Sequence, residues 1–276
     1  MERNNQGLRN VAFVVSAVLA AVLLAAAWPT IRDRLPFGSS AAASSDDGPD
    51  TAPGGPFAGT PAESYAKGAA GITLPPAAAV DGFTAAQVDA ALQQVRRALV
   101  AGRLDNRMTV SHDNTALLNL LAPNARKEVG AWFTDPRSFT SVATWIDPAV
   151  HLDPKEEARV SGKVTVGVVP VNDIPTLQVT TNFVWIYAFE KAGSPLAVVH
   201  DEVRWDFAKP DNLRPGDEGM WIGTAKSYLA LIDCTAAAKG LLAPARPVTA
   251  TADSGAGEDE NSYLRPDRSL EISNRC

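Results

Sequence analysis

Five ionisable side chains fall within seven residues of one another: His200, Asp201, Glu202, Arg204 and Asp206. A histidine beside carboxylates is raw material for proton transfer, because imidazole titrates near neutrality and a carboxylate can be tuned toward it. Their spacing decides what they can do. Val199, Val203, Trp205 and Phe207 interleave with them at period two, the pattern of a strand with one buried face. His200, Glu202, Arg204 and Asp206 then share the opposite face. If the apolar face meets a core, those four form a solvated row of charges worth little individually. Asp201 is the exception, since alternation points it inward among apolar neighbours. A carboxylate buried there has a raised pKa and suits a general base. The alternative is a strand that bends or bulges and leaves Asp201 at a rim, so no residue is assigned as catalytic.

The other chemistry-bearing residues are scattered. His112-Asp113 precedes a helix, which makes Asp113 and Asn114 helix caps rather than part of a dyad. His151 lies in a loop between Pro148 and Pro154. The serines near these histidines form no nucleophile elbow, and the glycines of the linker lack the preceding strand and following helix that a phosphate loop requires. Two cysteines, Cys234 and Cys276, with three histidines make no zinc site, so neither metal nor cofactor is expected. In an oxidising compartment the two cysteines can pair, stabilising by about 3–4 kcal/mol on the loop-entropy model; otherwise they are two unrelated thiols. A pI of about 5.1 and the lack of a basic stripe with interleaved aromatics exclude nucleic acid as a partner.

The elements that must position these residues are legible from periodicity. Thr84-Ala85-Ala86-Gln87 has the form of a capping box, with Phe83 and Val88 placed as a hydrophobic staple. Val88, Leu92, Val95 and Leu99 continue at helical spacing to a stop at Gly102. A second helix is expected after Asn114, carrying Leu117, Leu118 and Leu121. A third starts at Pro123, with Ala125, Val129, Trp132 and Phe133 on its apolar side, and ends at Asp135-Pro136. From about residue 157 the period becomes two. Val160, Val164, Val166 and Val168 form one strand, and Leu177, Val179, Thr181, Phe183, Trp185, Tyr187 and Phe189 occupy every odd position of the next. The strand carrying Asp201 follows, and Met220 to Ile232 reads as a fourth. The aromatic odd face either lines a ligand cavity, with Asp201, Trp185, Tyr187 and Trp205 as its binding residues, or is the sheet–helix core. The fold class is therefore α+β: helices first, packed on an antiparallel sheet of about four strands.

The leading amphipathic helix, the phrase Leu117-Leu118-Asn119-Leu120-Leu121-Ala122-Pro123 and the run of long strands resemble the NTF2-like (cystatin-like α+β cone) superfamily. The resemblance spans residues 81–234 at the level of architecture rather than of a diagnostic motif. It implies curved strands, and, in the members that are enzymes, acid–base residues at the mouth of the cone. With the segments described next, the chain is also similar to membrane-anchored accessory proteins of actinobacteria, including Mce-associated ones.

Those segments flank the domain, expected at 81–243. Residues 1–10 are a polar tail, and Val11 to Trp28 contains no charge. Eighteen residues at a helical rise cover about 27 Å, close to the hydrocarbon thickness of a bilayer. A single transmembrane helix is the expectation, with Trp28 at the interface and the amino terminus cytoplasmic. A cleaved secretory signal ending at Ala25-Ala26-Ala27 is the rival reading. Residues 29–80, rich in Ala, Gly, Pro and Ser, are expected to form a disordered tether, and 244–276 a flexible tail that can pack back. The functional expectation is a membrane-tethered extracytoplasmic scaffold or accessory subunit of a cell-envelope assembly, not an enzyme, with membrane lipid and an envelope protein as partners. The alternative is a small-ligand-binding domain or enzyme that uses a cone pocket.

Overall fold

The computed structural model describes residues 54–190, 195–211, 213–246 and 259–271. Among them no helix is long and apolar enough to cross a membrane, and residues 11–28 lie outside them.

Helix α1 (Ala85–Arg103) forms as its sequence demands. The Thr84 side chain accepts from the Gln87 N–H at 3.3 Å, and Gln87 Oε1 accepts from the Thr84 N–H at 2.8 Å, completing the capping box. Phe83, Val88, Leu92, Val95 and Leu99 are all buried in one core. Gly102 does not stop the helix. A Cβ there would collide with the Val142 carbonyl, so glycine is needed to let α1 approach the segment that hydrogen-bonds Gly102 O through the Thr144 N–H at 2.9 Å. One further residue, Arg103, ends the helix on its buried face.

Short helices follow: α2 (Asn106–Thr109), α3 (Thr115–Leu118), α4 (Pro123–Trp132) and α5 (Pro136–Phe139). Asp135-Pro136 thus opens α5 rather than closing α4. Asp113 supplies a capping carboxylate, accepting from the Thr115 N–H at 2.9 Å, whereas Asn114 makes no side-chain cap bond.

The sheet has five antiparallel strands in the order β1 (Ala66–Lys67), β3 (Arg159–Val171), β4 (Ile174–Ala188), β5 (Leu196–Ala208), β6 (Met220–Ala230). The fifth strand, β1, comes from the segment expected to be tether. Strands β3 and β4 join through Asn172-Asp173, both at positive φ (49° and 63°), as a tight two-residue hairpin turn requires. A register shift between Arg204 and Trp205 bulges β5 against β6. Outside this sheet, β2 (Trp145–Ile146) pairs in parallel with β7 (Leu241–Leu242), which follows helix α6 (Cys234–Ala237).

Both faces of the sheet are covered. On one, Leu177, Val179, Phe183, Trp185, Tyr187, Val199, Val203 and Trp205 pack into the core with the helices, so the aromatic odd face is sheet–helix core. On the other, Val184, Ile186, Ala188, Val198, Tyr228 and Ala230 form a second cluster with Phe57, Ala62, Tyr263 and Leu264. This corrects the expected extent of the tether. Residues 54–80 are not tether: Phe57 and Ala62 are buried, and Ile72 joins the first core. Residues 259–271 of the expected tail pack back on the sheet, with Tyr263 and Leu264 buried and Arg268 stacked over Tyr263 at 4.4 Å. The reason lies in β4, where every residue from Phe183 to Ala188 is buried, so the sheet has apolar surface on both sides to bury.

Candidate functional site

Asp201 points inward and is 1% exposed, as strand alternation requires; the bulge lies beyond it, at Arg204/Trp205. It is not an isolated carboxylate. Arg103, at the last turn of α1, is also 1% exposed. It donates Nε to Asp201 Oδ2 at 2.9 Å and holds Nη2 at 2.8 Å from the same oxygen. Trp185 Nε1 donates to that oxygen as well, at 2.9 Å. The rest of the guanidinium is spent on the segment after α5: Nη1 on Ala143 O (2.7 Å) and Thr144 Oγ1 (3.0 Å), and Nη2 on Thr140 O (3.1 Å). Tyr187 donates its hydroxyl to Arg103 O at 2.9 Å and lies 3.2 Å from Thr144 Oγ1.

The electrostatics follow from this wiring. Burial pushes the Asp201 carboxyl up to about 6, and the Arg103 guanidinium and the Trp185 indole N–H limit the rise, leaving it ionised at neutral pH. Burial likewise pushes the Tyr187 hydroxyl up to about 12, so it remains a neutral donor. Asp201 Oδ1 has no hydrogen-bond partner among the described residues. A charged pair of this kind fixes the end of α1, strands β4 and β5 and the 140–144 segment in one arrangement. A small space of about 10 Å³ lies on the Arg103 side of the pair, bounded also by Thr144, Trp145, Val199 and Leu229; it is marginal even for a single water, and Asp201 does not line it.

Of the four residues expected to line a pocket, three (Asp201, Trp185 and Tyr187) are gathered by Arg103. Trp205 is apart, donating Nε1 to Thr181 Oγ1 at 3.1 Å. Arg103 itself escaped the sequence reading because Gly102 looked like a stop. The signal was its place four residues after Leu99, on the apolar stripe.

The opposite face of β5 divides. Glu202, Arg204 and Asp206 form the expected polar row, contacting Lys226 (3.5 Å), Thr224 (2.6 Å) and Gln178 (3.0 Å) respectively. His200 departs from it, being fully buried beneath the second cover. Its Nε2 meets Asn182 Oδ1 at 3.0 Å, and Nδ1 has no partner among the described residues. Burial lowers its pKa to about 4.

The remaining candidates are structural. His112 stacks on Trp145 with ring centroids 4.7 Å apart, and its Nε2 lies 2.9 Å from Ile146 O. His151 is exposed in its loop. Asp113 is held well below the usual carboxylate range by its bonds to Thr115 and Arg107. No grouping of three or more His, Cys, Asp or Glu side chains that could hold a metal occurs among the described residues. Cys234 opens α6, its expected partner Cys276 lies outside the described residues, and no free cysteine is found among the residues described. Two open clefts flank the core. One, of about 700 Å³, runs between β6 and α4–α6. The other, of about 630 Å³, lies between the end of α1 and the 151–158 loop.

No family model matches this chain, and no curated protein or solved structure matches it either.

Proposed function

We propose that this chain is a membrane-tethered extracytoplasmic scaffold or accessory subunit of a cell-envelope assembly, anchored through residues 11–28 and without catalytic activity of its own. The observation that carries the reading is the burial of Asp201. The carboxylate best placed for acid–base work is 1% exposed, is held by Arg103 and Trp185, and lines none of the clefts described above. A general base must come within hydrogen-bond reach of the proton it abstracts. The competing reading, a pocket built on Asp201, Trp185, Tyr187 and Trp205, is disfavoured because only Tyr187 of the four lines a cleft. The uncharged run at 11–28 supports the address, and helices followed by a strand meander support kinship with the NTF2-like cone.

The test is affinity purification of tagged full-length chain from detergent-solubilised native membranes. A stoichiometric envelope partner is expected, retained when Asp201→Asn is introduced. A chain that sediments alone under gentle detergent, or turns over a substrate in an Asp201-dependent way, sinks the proposal.

A further inference from the structure

Another cleft, of about 310 Å³, opens at the end of the sheet between the β3–β4 hairpin and the connection from β5 to β6. That volume lies at the lower end of the range small ligands use. Its apolar walls are Val171, Ile174, Leu213, Trp221 and Ile222. Val171 is 39% exposed, one of two large hydrophobic side chains exposed among the described residues. Two ionisable residues line the cleft, Asp206 and Asp217, and among the described residues no Lys, Arg or His does. Asp217 is occupied, since its Oδ1 accepts from Asn124 Nδ2 at 2.7 Å and its carbonyl from Trp221 Nε1 at 2.8 Å. Asp206 is half free. Its Oδ1 accepts from Gln178 Nε2 at 3.0 Å, and its Oδ2 makes no hydrogen bond or ion pair among the described residues. Arg204, two residues away, turns its Nε to Thr224 Oγ1 instead. The seat of this oxygen is built into the strand. The register shift between Arg204 and Trp205 leaves Gly223 unpaired, and Oδ2 lies over Gly223 where a Cβ would otherwise collide with it.

We propose that this cleft binds a small organic cation, a primary ammonium on a short apolar stem, whose ammonium donates to Asp206 Oδ2 while the stem lies against Trp221, Leu213 and Ile174. Charge chooses the sign of the ligand, because the lining offers carboxylates and no cation of its own. Half-burial raises the Asp206 carboxyl above its ordinary value, which is the cost of holding a charge partly out of water. An ammonium at Oδ2 offsets that cost with a charge-assisted hydrogen bond. Trp221 stands opposite Asp206 across the strand pair, and tryptophan is the side chain a cation favours most among the aromatics. The walls supply the rest of the affinity by shedding water from apolar surface. The inference does not rest on the proposed scaffold role, since a chain with or without an envelope partner would bind the amine alike.

The test is isothermal titration calorimetry of full-length chain in detergent at neutral pH, with detergent alone as the blank and 2-phenylethylammonium as the probe. A Kd of about 0.1–1 mM is expected for a ligand of this size. Ethylammonium, which lacks the stem, and 2-phenylethanol, which lacks the charge, should each bind about tenfold or more weakly. Asp206→Asn, which keeps the oxygen that Gln178 contacts, should weaken the probe by about tenfold as well. Gly223→Ala, which displaces Oδ2, should do the same. No saturable binding by the wild type overturns the proposal, as does an unchanged Kd in Asp206→Asn. If the variants fail to fold, the wild type decides: 2-phenylethanol bound as tightly as the ammonium overturns it. Equal binding of the trimethylated ammonium, which has no proton to donate, overturns the role of Oδ2. Tighter binding of N-acetyl-lysine methylamide than of the probe also overturns the proposal, making a partner's lysine the occupant.

Discussion

His200 and Asp201 are chain neighbours, both buried, on opposite faces of one strand, and the protein treats them in opposite ways. Asp201 keeps its charge because a helix end delivers a guanidinium to it, with Trp185 adding a third bond to Oδ2. His200 gives up its charge because burial under segments 54–65 and 259–271, with Arg268 adding to it, outweighs the nearby charges of Glu202 and Asp267, and its Nε2 meets a neutral amide, Asn182 of the neighbouring strand β4. A rigid element can hold a counter-ion at 2.8 Å; short terminal segments pack more simply against a neutral ring. The difference between the faces is therefore a difference in what kind of backbone covers them.

The comparison breaks most sharply at Arg103. Arg103→Met leaves a buried carboxylate uncompensated and should cost about 3–5 kcal/mol, whereas Arg103→Met with Asp201→Leu should recover most of the loss. Urea denaturation of the chain in detergent, followed by tryptophan fluorescence, reads both. A double variant no better than the single would mean that Arg103 and Asp201 do not act as a pair.

The pH response sharpens the same contrast. His200 goes from 6.5 to about 4 on folding, so its contribution is present above pH 6.5 and is lost as pH falls toward 4. Asp201 goes from 3.8 to about 6, so its contribution is greatest below pH 3.8 and declines as pH rises toward 6. Between about pH 4 and 6 the two slopes oppose, each limited to about 1.4 kcal/mol per pH unit. His200→Gln should therefore expose a stability that falls with rising pH, and Asp201→Asn one that rises. Denaturation midpoints at pH 4, 5 and 6 check this, and parallel profiles would refute it.

The smallest effect is expected at the rim. Lys226 reaches Glu202 and Glu271, each at 3.5 Å, but stands half in solvent. Lys226→Ala should cost about 0–1 kcal/mol and less at high salt. A loss comparable to that of Arg103 would place this pair on the wrong side of the comparison.

How much of this was legible follows from which forces act locally. Asp201's direction was legible because strand period two is a local rule, and the Thr84–Gln87 box because capping spans one turn. Arg103 was hidden by a glycine whose reason is a contact with Val142, forty residues away. Phe57, Ala62 and Tyr263 were hidden because each stands in a stretch too polar or too small to show a period. The readable trace lay in β4, whose apolar run from Phe183 to Phe189 left no side for solvent. The site thus appeared as half a pair, and the fold as one sheet face of two.

The Asn172-Asp173 turn bears on time as well as shape. It closes the shortest loop in the sheet, between strands that pair from Val171–Ile174 to Arg159–Ile186, so this hairpin is the cheapest large piece to assemble first. The Arg103–Asp201 bond joins residues 98 apart, and the outer cover joins segments from both ends of the described domain. Replacing Asn172 with Val, which resists positive φ, should therefore slow refolding more than it speeds unfolding, while Phe57→Ala should do the reverse. On that order the strand meander is built first and its charges are enclosed afterwards, so the nascent chain closes a buried ion pair only once an apolar wall exists to receive it.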